Sequence, residues 1–308
     1  MKINVQTLGW WMRRTTGKTL GEVAPFYEQT IGLPLMRAYG DFLILLWAGE
    51  DLVFEVKTDD HPSRTQGDPA SAACIPVFRT HDLAALTARL TGFGYEAVSR
   101  SESAWGQTLF YRGPDALITG FEQRAVDSPL PADRQGLQAW RSGPARLGDL
   151  PALPAGLHYL SRVIRRVADV AAVSRHYRDV MGFDYLGSEG ASELFSVGEL
   201  VTLEIAPGGV SVAPPADRGE LPDSFILRVH DIDKALAGLQ TRKARFNGEL
   251  IVFEETTRLH YVEDPEGHLT GIEERGLIRD YLEDVEADRR WRARQAAHSI
   301  ISAVALGV

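Results

Sequence analysis

The sequence predicts an α+β protein of two tandem modules. Each module is built from paired β-α-β-β-β units that curve a mixed sheet around a pocket, and a helix follows the second module. Three observations predict this: an internal repeat of nearly fixed offset, a strand-helix-strand order that recurs inside each copy, and one turn-and-strand motif written twice. "FYEQTIGLPL" (26–35) matches "HYRDVMGFDY" (176–185), placing Tyr27 over Tyr177 and Gly32 over Gly182 at an offset of 150. "LVFEV" (52–56) matches "VTLEI" (201–205), and "FRTHDLAALTARL" (78–90) matches "LRVHDIDKALAGL" (227–239), both at an offset of 149. "GPDALITGFEQR" (113–124) returns as "DPEGHLTGIEER" (264–275) at an offset of 151. Matches in one order with so little drift are the signature of a duplicated module.

Taken in order, each copy opens on a strand (Leu8–Thr15; Leu160–Val167), and a helix then ends near Gly32 or Gly182. Short strands "FLILLWA" and "LVFEVK", or "ELFSV" and "LVTLEIA", complete the first unit. The second unit opens on "IPVFRT" or "SFILRV". Its helix is capped by Asp82 or Asp231, whose carboxylates suit the free amides of a first turn. "QTLFYRG" and "ALITGFE", or "TRLHYVE" and "HLTGIEE", close it. An α-before-ββ order leaves helices on one sheet face and a curved face open for a pocket. The modules therefore span 1–125 and 157–276, joined by a Pro-, Gly- and Ala-rich connector over 126–156. Residues 277–308 have almost no Gly or Pro, and Leu282, Val285, Trp291, Ile300, Ile301 and Val304 fall on roughly helical spacing. That helix would pack across the modules or form a homodimer contact.

Composition sets the outer limits. The 308 residues are 44% hydrophobic and 24% charged, as in ordinary globular proteins. A net charge of -9 argues against nucleic-acid or anionic-membrane partners. No stretch reaches the length of an apolar membrane span. Cys74 is the sole cysteine, which excludes a disulfide framework and suits a reducing, cytoplasmic setting.

With its "FY…GL" and "HY…MGF" helix ends, its "VHDIDKAL" step and its "DPEGHL" turn, the chain resembles the vicinal oxygen chelate superfamily. That group holds glyoxalase I, bleomycin-resistance proteins, extradiol dioxygenases and fosfomycin-resistance enzymes. The resemblance covers nearly all of 5–125 and 158–276. It implies a divalent metal (Mn, Fe, Ni or Zn) held by a residue on each unit's first strand and by a Glu on last strands. Carried over, the first-strand positions fall on Trp10, Ile75, Arg162 and Ser224, and the last-strand positions of the second units on Gly120 and Gly271. Glu55 and Glu204 alone keep the carboxylate. One acid per module does not hold a cation tightly, so no cofactor is expected. Glu122 and Glu273, about 7 Å further along the same strand faces, permit an alternative metal set of His158, Glu204 and Glu273.

Two functions follow as expectations. In the first, the protein binds a small, aromatic-type molecule without metal. Trp10, Trp11, Tyr111, Glu55 and Glu122 would line the first module's pocket, and Arg162, Glu204, Ser224, His260, Tyr261 and Glu273 the second's. In the alternative it is a lyase, isomerase or ring-cleaving dioxygenase with a displaced ligand set. Without metal it could still run proton transfer, with Glu204 or Glu273 as general base, Arg162 stabilising an enolate-like anion and His260 donating a proton. His81 and His230 recur before the capping aspartates, and His268 sits in a turn; structural roles account for all three. The stretch "GYEAVSRSESAWGQ" (94–107) carries no motif.

Overall fold

The computed structural model describes residues 3, 5–16, 18–49, 52–59, 74–125, 128, 130, 157–198, 201–209, 223–253 and 257–274. The expected terminal helix at 277–308 lies outside these residues, as does all of the connector but Ser128 and Leu130. Four β-α-β-β-β units are present. The first comprises β1 (Val5–Thr16), α1 (Leu20–Pro25, continued by a wider π turn over Phe26–Ile31), β2 (Leu35–Tyr39), β3 (Leu43–Gly49) and β4 (Leu52–Asp59). The second comprises β5 (Cys74–Thr80), α2 (Leu83–Gly92), β6 (Ala97–Ser103), β7 (Gly106–Arg112) and β8 (Ile118–Arg124). The third comprises β9 (Leu157–Val167), α3 (Val170–Arg175, continued over His176–Met181), β10 (Asp184–Glu189), β11 (Ser192–Val197) and β12 (Val201–Pro207). The fourth comprises β13 (Asp223–Val229), α4 (Ile232–Thr241), β14 (Arg245–Phe253), β15 (Thr257–Glu263) and β16 (Leu269–Glu274).

Local chemistry sets the helix ends as the sequence indicates. Asp82 accepts a hydrogen bond from the Ala85 amide at 2.8 Å and Asp231 from the Lys234 amide at 2.9 Å. The first helix of each repeat ends at a left-handed glycine, Gly32 at φ 91° and Gly182 at φ 78°. A side chain there would strain the backbone, which is why both copies keep Gly.

The units do not pair within the modules. One eight-stranded sheet has the order β14-β15-β16-β13-β1-β4-β3-β2, joining units one and four. The other has the order β10-β11-β12-β9-β5-β8-β7-β6, joining units two and three. In each, two first strands meet antiparallel, β1 with β13 and β5 with β9, and each is flanked by its own unit's last strand in parallel. Each curved sheet, and each concave face, is thus shared between the sequence repeats. This corrects the assignment of one pocket to each module.

Helices and the back faces of both sheets share one core, in which Trp11, Tyr27 and Phe54 meet Phe78 and Phe121. Phe54 and Phe78, from different sheets, have ring centroids 5.8 Å apart. Two arginines at corresponding places in the repeat form buried ion pairs in this core, with partners that do not correspond. Arg13 is fully buried and donates to Asp223 at 2.8 and 2.9 Å, to Tyr27 and Thr119 at 2.9 Å, and to the Ile118 carbonyl at 2.8 Å. It thereby ties units one, two and four. Arg165 pairs with Asp264 at 2.9 Å, both fully buried, and links unit three to the closing turn of unit four. Removing one member of such a pair strands the other charge. Arg13→Met is expected to destabilise the protein by about 3–5 kcal/mol in urea unfolding, with part of the loss recovered in Arg13→Met/Asp223→Asn.

Buried histidines give the fold a stated pH response. Burial, with Arg165 beside it, holds His268 down to about 3, and burial holds His176 down to about 4. Both stay neutral in the native state, whereas the unfolded chain takes up protons near the ordinary value of about 6.5. Their contribution is therefore complete above about pH 6.5 and is lost progressively as the pH falls toward 4. The urea midpoint should drop between pH 7 and pH 4.5, and His268→Asn should make that drop shallower.

Candidate functional site

The two concave faces correspond strand for strand. About the joint between first strands, Trp10 and Ser224 occupy matching positions on one sheet, as do Arg162 and Ile75 on the other; the registers are Trp10↔Ile226 with Met12↔Ser224, and Val77↔Arg162 with Ile75↔Ile164. On the last strands, Glu55 matches Gly271 and Glu204 matches Gly120. The four family positions are therefore Trp10, Glu55, Ser224 and Gly271 over the first sheet, and Arg162, Glu204, Ile75 and Gly120 over the second. Each set mixes the two modules, and each holds one carboxylate.

In both sets a first-strand side chain engages that carboxylate. The Trp10 indole donates to Glu55 at 3.0 Å. The Arg162 guanidinium donates to Glu204 at 2.8 Å, lies 3.1 Å from Glu122 and donates to Glu189 at 3.3 Å. A guanidinium among three carboxylates supplies the positive charge that a bound cation would otherwise bring. Burial disfavours its charge, but Glu122, Glu204 and Glu189 outweigh that and hold its pKa above the ordinary arginine value. Burial pushes Glu189 up, and Arg162, Ser103 and Arg124 bring it to a net value below the usual carboxylate range. A divalent cation would compete with this guanidinium for the same oxygens, so the residues present do not fit the implied metal.

The two strand glycines answer to the same design. A Cβ on Gly271 would lie 2.7 Å from Ile226 Cγ1, and one on Gly120 would lie 2.9 Å from Val77 Cγ2. At each of these positions, a β-branched neighbour on the adjoining parallel strand fills the space a ligating side chain would need.

The concave faces differ in the side chains they gather. Over the first sheet, Trp10, Met12, Leu45, Val53, Ile226, Leu259, Tyr261 and Leu269 form one buried apolar cluster. The Tyr261 hydroxyl reaches Met12 Sδ at 3.4 Å, and Ser224 and Glu55 are buried as well. Over the second sheet lies a cleft of about 910 Å³. Ile75, Ile118, Ile164 and Phe110 supply apolar lining, and Arg162, Glu204, Glu189 and Arg124 gather polar charge on the same wall. Its rim is formed by two hairpin tips, Ser103–Gly106 and Ser188–Gly190.

Several expected site residues lie elsewhere. Trp11 belongs to the shared core, stacked on Phe54 and donating to Asp223 at 2.9 Å. Tyr111 also faces the core, against Phe121 and the Thr87 hydroxyl of α2. His260 packs on Phe246 at 4.8 Å, and its Nδ1 accepts from the Tyr261 amide. Its strand neighbours Leu259 and Tyr261 point to the concave face, so His260 points away from it. Pairing fixes the reason: Phe110 lies opposite Gly120 and Tyr261 opposite Gly271, so Phe110 corresponds to Tyr261 and His260 to Leu109. A slip of one residue exchanges the faces of a strand. Glu273 is buried in the first sheet, whereas Glu204 and the strand carrying His158 belong to the second. The alternative metal set His158, Glu204 and Glu273 is therefore split between sheets. Among the described residues, no group of three or more His, Cys, Asp or Glu side chains is placed to hold a metal ion. Glu122 is fully buried beside Arg162 and also contacts Arg79 at 3.2 Å and Ser161 at 2.7 Å. The sequence did not point to Arg124, Glu189 or Trp105, which reach the cleft from a strand end and two hairpin tips.

The family model of the Glyoxalase/Bleomycin resistance protein/Dioxygenase superfamily matches residues 158–272. A putative dioxygenase from Bacillus subtilis subsp. subtilis str. 168 has a similar structure, with TM-score 0.63, 13% identity, and coverage of 91% of this chain and 89% of that one. Glyoxalase I from Zea mays gives TM-score 0.61 at 14% identity, covering 92% of this chain and 96% of its own. No curated protein matches in sequence. Residues 158–272 thus match the superfamily's model in sequence, and the chain as a whole shares the fold of these two structures.

The glycine packing generates a prediction. Gly271→Ala should cost about 1–3 kcal/mol by overpacking against Ile226. Gly271→Ala combined with Ile226→Ala should cost less than the sum of the single changes, as read from urea midpoints.

Proposed function

We propose that the protein binds a small organic molecule in the cleft over the second sheet, without a metal ion. The observation that carries this reading is the contrast between two corresponding concave faces. One carries a buried apolar cluster, and the other carries a cleft of about 910 Å³ lined by both apolar and charged side chains. That volume falls in the range of small-molecule sites. The apolar lining favours a body of rings or alkyl groups. The charged wall around Arg162 offers hydrogen bonds to a polar head. Among the described residues no set of side chains fits the superfamily's metal chemistry.

A thermal-shift screen of planar aromatic and small carboxylate compounds tests the reading. A ligand at a hundred times its dissociation constant should stabilise the fold by about 2.7 kcal/mol. Ala206→Trp, which fills the cleft, should abolish that stabilisation, while Met36→Leu beside the apolar cluster of the first sheet should leave it intact. Stabilisation that persists in Ala206→Trp, or a panel in which nothing stabilises the wild type, would count against the proposal.

A further inference from the structure

We infer that the hydroxyls of Ser101, Thr108 and Ser192 read the ligand in the cleft over the second sheet, and that the ligand carries an uncharged hydrogen-bonding head, an amide or an alcohol, on an apolar body. The inference rests on the binding reading above and adds the residues that meet the head and the head's chemistry.

Thr108 lies on β7 and Ser192 begins β11, and both line the cleft. The two residues keep only 8% and 7% exposure. Among the described residues neither hydroxyl has a hydrogen-bond partner, and neither is sealed in the core. Polar groups this deep in a fold are ordinarily satisfied by the protein itself. These two are left to whatever enters the cleft. Ser101, on the exposed edge strand β6, stands opposite Thr108 and lines the same wall.

The repeat supplies the comparison. Phe110 corresponds to Tyr261, so Thr108 corresponds to Leu259. Ser101, opposite Thr108, then corresponds to Ile251, opposite Leu259. Leu194 lies opposite Glu204 as Leu45 lies opposite Glu55, so Ser192 corresponds to Leu43. Leu259 belongs to the buried apolar cluster of the first sheet, and Ile251 and Leu43 pack against that cluster. The scaffold accepts aliphatic side chains at all three places, and the second sheet carries a hydroxyl at each. Packing of the sheet does not call for that exchange; recognition of a polar group does.

The hydroxyls reach the cleft from two walls that meet at one end. Ser192 lies opposite Glu189, whose carboxylate is 3.4 Å from Arg124. Arg124 lies opposite Gly106, two residues before Thr108 on β7. The apolar lining of Ile75, Ile118, Ile164 and Phe110 receives the rest of the molecule. A serine or threonine hydroxyl donates and accepts alike and brings no counter-charge. Of the charged groups on the cleft wall, Arg124, Arg162, Glu189 and Glu204 are held in ion pairs, and Arg166 has contacts of its own. Arg112 and Glu102 stand exposed to water. A head that bonds to hydroxyls without importing charge avoids the cost of desolvating an ion. An amide or an alcohol meets that condition.

Equilibrium dialysis of 2-naphthamide, 2-naphthoate and naphthalene against wild type, Thr108→Val, Thr108→Ser, Ser192→Ala and Thr108→Val/Ser192→Ala tests the inference. The wild type should bind the amide more tightly than the carboxylate or the bare hydrocarbon. Thr108→Val and Ser192→Ala should each weaken the amide about two- to tenfold, the worth of one neutral hydrogen bond, and leave naphthalene unchanged. The losses should multiply in the double variant, and Thr108→Ser, which keeps the hydroxyl, should bind the amide nearly as the wild type does. Melting curves establish that the variants are folded, as the aliphatic residues at the corresponding places in the first sheet predict. If the amide binds and neither Thr108→Val nor Ser192→Ala weakens it, the hydroxyls do not read the head, and the cleft remains a binding site. Tighter binding of the carboxylate than of the amide would overturn the uncharged head. If none of the three compounds binds while another from the thermal-shift screen does, the head and body assigned here are wrong. If nothing in either panel binds, this inference and the binding reading fall together.

Discussion

The architecture depends on which first strands are allowed to meet. The β1–β13 joint sets Arg13 opposite Asp223, and the β5–β9 joint sets Arg165 opposite Cys74. Exchanging partners within each module would put Arg13 against Cys74 and leave a buried guanidinium without its carboxylate. Such a charge costs several kcal/mol, enough to decide between two otherwise similar sheet pairings. Arg165 meets its need separately, through Asp264 in the closing turn of unit four. The repeats are alike in their elements but unlike at the one buried position that chooses the partner.

That choice composes the functional faces. Pairing unit one with unit four gathers Trp10, Met12, Ile226 and Tyr261 into a buried apolar cluster. Pairing unit two with unit three brings Arg162 and Glu204 beside Glu122 and Arg124, above a floor of isoleucines. One face then contributes packing and the other a cleft with a charged wall. Duplication leaves two copies of the scaffold, and divergence at the first strands gives them separate tasks. Trp10 and Arg162 occupy the same place in the repeat, and each satisfies the acid that the repeat retains.

Much of this was legible in the residues. The offset near 150 exposes the duplication, the Gly32 and Gly182 helix ends are conformational necessities, and Asp82 and Asp231 announce their helices. Glu55, Glu204, Gly120 and Gly271 also fall where the repeat puts them. Pairing between units was not legible, because it rests on Arg13 and Asp223, some two hundred positions apart in sequence with no shared local pattern. Trp11, Tyr111 and His260 were misplaced for a simpler reason. On a strand buried on both faces, alternation no longer distinguishes core from pocket, and a one-residue error in the repeat exchanges them. Glu189 is not legible in sequence because a hairpin tip acquires meaning only from what folds against it.

The central claim is that first-strand side chains, chiefly Arg162, take the place of a cation in this scaffold. Elemental analysis of protein purified without chelators from cells supplied with Mn, Fe, Ni and Zn tests it most directly. The account predicts metal far below one equivalent per chain, with no increase on dialysis against any of the four ions. One equivalent retained by the wild type and lost in Glu204→Gln would contradict it.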